Sequence, residues 1–263
     1  MHTERYLVLA EKAARQAGAC LRDAYSVDAG VESEVGKDIK TEADMAAEQV
    51  ILEAIRSTGF AILSEESGFS EDTNGHDSPS AILNSCSPLW IIDPLDGTFN
   101  FTRGFPACCV AIGLWSENRP ILGVIYDFVS DKMYSGAVGR GATCNSEVIE
   151  VSYTSTSANA SLATGFPSAR NYSDVSLAGS IRKVQEYKKI RMIGSAALSI
   201  AHVANGSLDA YFEEDIWLWD VAAGLALVKA AGGDFAISQI KDTWQLDVFA
   251  SNGHLPVLRA ERR

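Results

Sequence analysis

A layered α/β (α+β) sandwich, with a mixed, mostly antiparallel first sheet and a smaller second sheet with flanking helices, is the fold the sequence predicts. Two amphipathic helical patterns open the chain, a series of short apolar runs of strand length follows, and strand and helix patterns alternate after Val151. Helices must bury a stripe and sheets a face, so this order resolves into stacked layers. With 263 residues, 47% of them hydrophobic and 21% charged, the chain can bury a sizeable core and has the balance of a globular protein.

Over residues 4–25 the apolar positions Tyr6, Ala10, Ala13, Ala14, Ala17 and Leu21 recur at three- and four-residue steps, as an amphipathic helix requires. A second helix is predicted over 41–56, with Ala43, Ala47, Val50, Ile51 and Ile55 inward. Strand-length runs follow at 60–63, 89–92, 108–114, 121–126 and 132–137 and read as an antiparallel-rich sheet beneath the two helices. Residues 69–88, FSEDTNGHDSPSAILNSCSP, are polar and full of turn formers, and are expected to form a mobile surface loop. The segment YTSTSANAS marks a boundary between an N-terminal half, 1–151, and a C-terminal half, 152–263. In the second half strands are predicted at 162–165, 190–193 and 208–212, and helices at 174–187, 195–204 and 220–231, the last closed by Gly232 and Gly233.

The net charge of −12, from 34 acidic and 22 basic residues, opposes association with a polyanion, and no basic cluster offsets it, so nucleic acid is not an expected partner. The five cysteines, Cys20, Cys86, Cys108, Cys109 and Cys144, are odd in number and lack CxxC spacing, which fits a reducing cytoplasm better than a zinc or disulfide framework. The opening MHTERYLVLAEKAARQ scatters charges among its apolar positions and no run of 18 apolar residues occurs, so neither export nor a membrane partner is expected. The histidines, His2, His76, His202 and His254, are dispersed and read as surface or core groups.

The chemistry concentrates in carboxylates. In LWIIDPLDGTFNF a buried strand delivers Asp93 and Asp96 into a turn fixed by Pro94 and closed by Gly97 and Thr98. Two carboxylates so placed repel unless cations neutralise them, although an isolated DxxDGT equally well reads as a turn in which Asp caps a helix. Glu65, in SEES, follows a strand end, where α/β proteins often place sites and where solvated loops are also common. Asp220 follows Trp217 and Trp219 at the start of a predicted helix and reads as an N-cap when taken alone. In TEAD, Thr41 and Asp44 have capping-box spacing, and Asp44 could instead accept a hydrogen bond from another site residue.

The ordered set TEAD, SEES, DPLDGT and WLWD, with GSAALSI and LDAYFEE later, resembles the signature of the inositol monophosphatase family over essentially the full length. The resemblance implies an αβαβα sandwich, a likeness to homodimeric enzymes, and a Mg2+-dependent, lithium-sensitive phosphomonoesterase with two to three Mg2+ per active site. By similarity, Glu65, Asp93 and the Leu95 carbonyl would hold one Mg2+, and Asp93, Asp96 and Asp220 a second. It also implies in-line attack of an activated water on phosphorus, with Thr98, hydrogen-bonded to Asp44, helping Glu65 orient and deprotonate it. Asp220 would position the water that protonates the leaving alkoxide. Gly97 and Thr98 would bind phosphate, and Gly194, Ser195, Ala196 and Glu213 would contact the substrate, a small phosphorylated cyclitol or sugar. Phe99 departs from the Thr common in inositol phosphatases and occurs in relatives that also hydrolyse fructose 1,6-bisphosphate, which keeps bisphosphatase activity as an alternative. FNF after the motif disfavours the relatives acting on adenosine 3′,5′-bisphosphate. The alternative of another class is a binding or regulatory homologue that keeps the fold without the chemistry.

Overall fold

The structure is a computed structural model and describes residues 3–25, 31–35, 38–70, 78–167, 171–238 and 240–257. Helix α1 (Thr3–Tyr25) buries Ala10, Ala13, Ala14, Ala17 and Leu21, as their spacing predicts. A hairpin of β1 (Val31–Val35) and β2 (Asp38–Thr41) leads into α2 (Glu42–Ile55), which Thr41 and Asp44 open with a capping box. The chain continues through β3 (Ala61–Ser64), β4 (Gly68–Ser70), α3 (Pro79–Asn84), β5 (Leu89–Asp96), α4 (Thr98–Thr102) and β6 (Cys109–Ser116). Strands β7 (Arg119–Asp127), β8 (Lys132–Ala137), β9 (Gly141–Cys144) and β10 (Glu147–Ile149) complete an eight-stranded sheet of order β10-β9-β8-β7-β6-β5-β3-β4. It is antiparallel throughout except where β3 pairs with β5.

The remainder forms β11 (Ser161–Thr164), α5 (Asp174–Val184), β12 (Lys189–Arg191), α6 (Ala196–Ala204), β13 (Ala210–Trp217), α7 (Leu218–Ala230), β14 (Asp234–Ile237) and β15 (Gln245–Ser251). Its five strands take the order β12-β11-β13-β15-β14, with β11 parallel to both neighbours and the other pairs antiparallel.

Side-chain alternation along β5 shows how the layers stack. Trp90 and Ile92 join the core under α1 and α2, whereas Leu89 and Ile91 join the core built on α6 and α7. The strand is covered on both faces, which is why LWII is continuously apolar. Helices α6 and α7 lie between the sheets, and on the far side of the second sheet Val184 of α5 packs against Leu162, Phe212 and Phe249. The expected five-layer sandwich is therefore present.

Close approach sets the position of α7. An ideal Cβ on Gly123 of β7 would lie 2.0 Å from the Ala223 carbonyl oxygen, and Trp115 Nε1 donates to the Ala222 carbonyl at 3.1 Å. Gly123→Ala must push α7 off the sheet, and is expected to cost at least the roughly 1–3 kcal/mol typical of overpacking. Chemical denaturation measures this, and an unchanged midpoint would contradict the packing.

Several expectations change. The 69–88 stretch is not loop throughout: Ser78 caps α3, Leu83 is buried, and the Ser85 and Leu83 carbonyls accept from Glu117 and Asn118 N–H beside β6; residues 71–77 lie outside the described residues. A helix of six residues is too short to show a period amid so many turn formers. The strand predicted at 208–212 runs as Ala210–Trp217, and the helix predicted at 174–187 ends at Val184. His2 and His76 lie outside the described residues.

Candidate active site

Strands β3 and β5 run parallel with Ser64 opposite Ile92, so their C-terminal ends reach the same place. Glu65 follows β3 directly, its N–H held by the Ile92 carbonyl at 3.2 Å. Strand β5 does not end in a turn at Ile92, as expected, but continues through Pro94 to Asp96, slipping register against β6 between Asp93 and Asp96. Proline has no N–H to lose from the ladder, so the irregularity is cheap there. The Leu95 N–H donates to Asp93 Oδ1 at 3.0 Å, and Gly97, with φ of 88°, turns the chain into α4.

Asp220 is the third residue of α7, not its cap: the helix begins at Leu218 with Trp217 in the cap position, and the Trp217 backbone hydrogen-bonds the Asp220 carboxylate. This frees Asp220 to face the sheet edge. Carboxylate oxygens of Asp93, Asp96 and Asp220 all lie within 4.8 Å of one another, and Glu65 shares a hydrogen bond with Asp93. Four of the sequence-predicted acidic residues, from three segments far apart in the chain, thus come together.

Burial and like charge act on them jointly. Burial pushes Glu65 up to about 8 and Asp96 to about 6, and raises Asp93 and Asp220 well above the carboxylate range, with the neighbouring carboxylates adding to the rise at Glu65, Asp93 and Asp220. Two unit charges at that separation repel by about 3.5 kcal/mol at an effective dielectric constant of 20. Protons or a cation relieve that repulsion. An all-oxygen donor set suits a hard divalent cation.

The two readings of Asp44 both hold, on different oxygens. Its Oδ2 accepts from the Thr41 N–H at 2.7 Å, closing the cap, while its Oδ1 accepts from Thr98 Oγ1 at 3.2 Å. Thr98 Oγ1 also lies 2.9 Å from the Leu95 carbonyl. Burial lifts Asp44 to about 6.

Ser195 caps α6, and its hydroxyl donates to Asp96 Oδ2, which also accepts from the Ala197 N–H at 2.8 Å. These bonds and the positive end of α6 oppose the burial effect on Asp96. The Ser195 side chain is thereby engaged with Asp96, a link that spacing in the sequence did not reveal. Gly194 and Ala196 flank it on the same turn. Glu213, buried on β13, raises Asp220 by like charge and lies against Gly165, where a Cβ would sit 2.3 Å from Glu213 Oε1. Asn100, quoted in the motif without a role, reaches the Gly194 turn from α4.

The raised carboxylates fix a pH dependence. The metal-free folded protein binds more protons than the unfolded chain between the ordinary values, 3.8 for Asp and 4.5 for Glu, and the folded values of about 6 to 8. The contribution of these groups to stability therefore falls as pH rises through that window. A divalent cation bound among these carboxylates would displace the protons, so any rise in Tm caused by Mg2+ is expected to be larger at pH 8 than at pH 5. At a hundred times its Kd the cation contributes about 2.7 kcal/mol. A Mg2+ effect on Tm independent of pH would contradict the cage.

The model of the inositol monophosphatase family matches residues 2–258. "Inositol monophosphatase 3" of Solanum lycopersicum is 36% identical over 261 residues, covering 96% of this chain and 94% of that protein. "Nus factor SuhB" of Xylella fastidiosa is 36% identical over 227 residues, covering 84% and 78%. Among solved structures, the inositol monophosphatase from Anabaena (Nostoc) sp. PCC 7120 aligns with a TM-score of 0.80 at 36% identity, covering 97% of this chain and 93% of that one.

Proposed function

Because this chain belongs to the inositol monophosphatase family, a metal-dependent family of phosphatases, we propose that it is a Mg2+-dependent phosphomonoesterase with inositol 1-phosphate as its preferred substrate. The observation that carries the proposal is the cage of Glu65, Asp93, Asp96 and Asp220, four buried carboxylates whose mutual repulsion a bound cation would relieve. Glu65, Asp93 and the Leu95 carbonyl would hold one Mg2+, and Asp93, Asp96 and Asp220 another, two to three in all. Bound Mg2+ supplies Lewis-acid activation of water and neutralises charge at phosphorus.

The protein's own groups do the rest. Thr98, backed by Asp44, orients Glu65 to take a proton from the attacking water. The backbone at Gly97 and Thr98 binds phosphate oxygens, and the turn of Gly194, Ser195 and Ala196 contacts the rest of the substrate. Glu213 accepts hydrogen bonds from ring hydroxyls, and Asp220 orients the water that returns a proton to the leaving alkoxide. Li+ is expected to inhibit by displacing the second cation.

Phe99, 58% exposed at the rim, keeps fructose 1,6-bisphosphate as the second reading. Phosphate release from inositol 1-phosphate, fructose 1,6-bisphosphate and adenosine 3′,5′-bisphosphate decides between them; the proposal expects the first to have the highest kcat/KM, and a higher value for either of the others would replace it. A purely regulatory homologue has in its favour the relatives named Nus factor SuhB, and against it the retention of every carboxylate.

We infer a homodimer as well. Phe99, Phe105 and Met192 are each more than half exposed, and Asn100, next to Phe99, bonds the Phe105 N–H and the carbonyl of Ile193, next to Met192, so these residues lie on neighbouring turns. Sedimentation is expected to give twice the 28.2 kDa chain mass, and a stable monomer would contradict it. Five free thiols support a reducing, cytoplasmic setting; no helix among the described residues is long and apolar enough to cross a membrane.

A further inference from the structure

We propose that Asn100 is the positioning residue that locks the phosphate-binding turn of Gly97 and Thr98 to the substrate-contacting turn of Gly194 across the halves of the chain, an inference that rests on the reading above of where the substrate binds. Its Nδ2 donates to the carbonyls of Ala107 at 2.8 Å, Ile193 at 3.0 Å and Gly194 at 3.1 Å. Three carbonyls around one atom fix the amide's orientation, because the flipped group would set Oδ1 against three acceptors with no hydrogen between them.

Each partner belongs to a turn that matters. The Ala107 carbonyl backs the first turn: a Cβ at Gly97 would lie 2.6 Å from that oxygen. Gly194 begins the second turn with φ of 79°, and a Cβ there would lie 2.9 Å from Asn100 Nδ2, so glycine is required on both counts. With the Gly194 carbonyl tied down, the following residues place the Ser195 hydroxyl and the Ala197 N–H on Asp96. The Asn100 carbonyl, in turn, accepts from the N–H groups of Arg103 and Phe105 and closes its own loop. One carboxamide thus holds the turn of Gly97 and Thr98 against the turn that carries the donors of Asp96.

Asn100→Asp keeps the size and removes the donor, setting a carboxylate against three carbonyls; Asn100→Ala removes the group without adding charge. Both variants are compared with the parent protein by amide hydrogen exchange and by calorimetric titration with Mg2+, neither of which needs turnover. Exchange over residues 193–198 is expected to quicken about ten-fold or more while α1 and β7 keep their protection, and Mg2+ to bind about ten-fold more weakly, the scale of lost supporting contacts around metal ligands. For an ester the parent hydrolyses, KM is expected to rise more than kcat falls. Unchanged protection over 193–198 in both variants overturns the proposal, as does exchange that quickens equally everywhere. A parent protein that hydrolyses no ester would overturn the functional reading, and the exchange comparison would still decide the role of Asn100.

Discussion

Asp93→Asn is expected to lower phosphate release by roughly a thousand-fold or more, the scale on which loss of a preorganised electrostatic group acts at a reacting centre. Asp93 is the carboxylate assigned to both cations, and it touches the cage on two sides, sharing a hydrogen bond with Glu65 and lying within reach of Asp96 and Asp220. The substitution keeps size and shape but removes the charge. Stability should move the other way: relieving repulsion in a buried cluster leaves the metal-free Tm equal to or above that of the parent, the trade expected where function requires an uncomfortable site. The Mg2+-induced rise in Tm should disappear with the activity. A variant that keeps a near-normal rate at low Mg2+ would remove Asp93 from the site.

Thr98→Val is expected to lower kcat by about a hundred-fold or more, within the range of general acid and base contributions, with little change in Tm. The hydroxyl lies between Asp44 Oδ1 and the Leu95 carbonyl, and valine keeps its volume while removing the proton and lone pairs. Thr41→Ala provides the contrast. It removes the Thr41 hydroxyl, which donates to the other oxygen of Asp44 and accepts the Asp44 N–H as the cap of α2, so about 1 kcal/mol of stability should be lost with a much smaller effect on rate. Equal effects of the two changes on kcat would mean that Asp44 serves only to end the helix.

The layers were legible because their elements are long and periodic. Helix α1 repeats its buried residues at three- and four-residue steps from Ala10 to Leu21, about three turns, and β5 announces itself as an apolar run between turn residues. The hairpin of β1 and β2, with strands of five and four residues, carries no comparable pattern in VESEV and DIKT, and α3 was hidden among the turn formers of its neighbourhood. At the site, the residue types of the acidic set were readable, but their convergence was not, because contact between Asp96 and Asp220 depends on how α7 docks between the sheets. Helix α7 starts two residues before the position its sequence predicts for a related reason. Asp is a good cap, yet Leu218 is fully buried and draws the helix two residues earlier, which turns Asp220 inward. Ser195 and Asn100 were quoted in their motifs, yet their bonds to Asp96 and to the Gly194 turn span 99 and 94 residues, and no local rule connects them.

Phosphate release from inositol 1-phosphate by the chelator-stripped protein, followed as Mg2+ is restored, tests the central claim most directly. The account predicts no turnover without the cation and saturable recovery with it. Hydrolysis at full rate in chelator, or no hydrolysis at saturating Mg2+ in a protein that binds the cation, would contradict it.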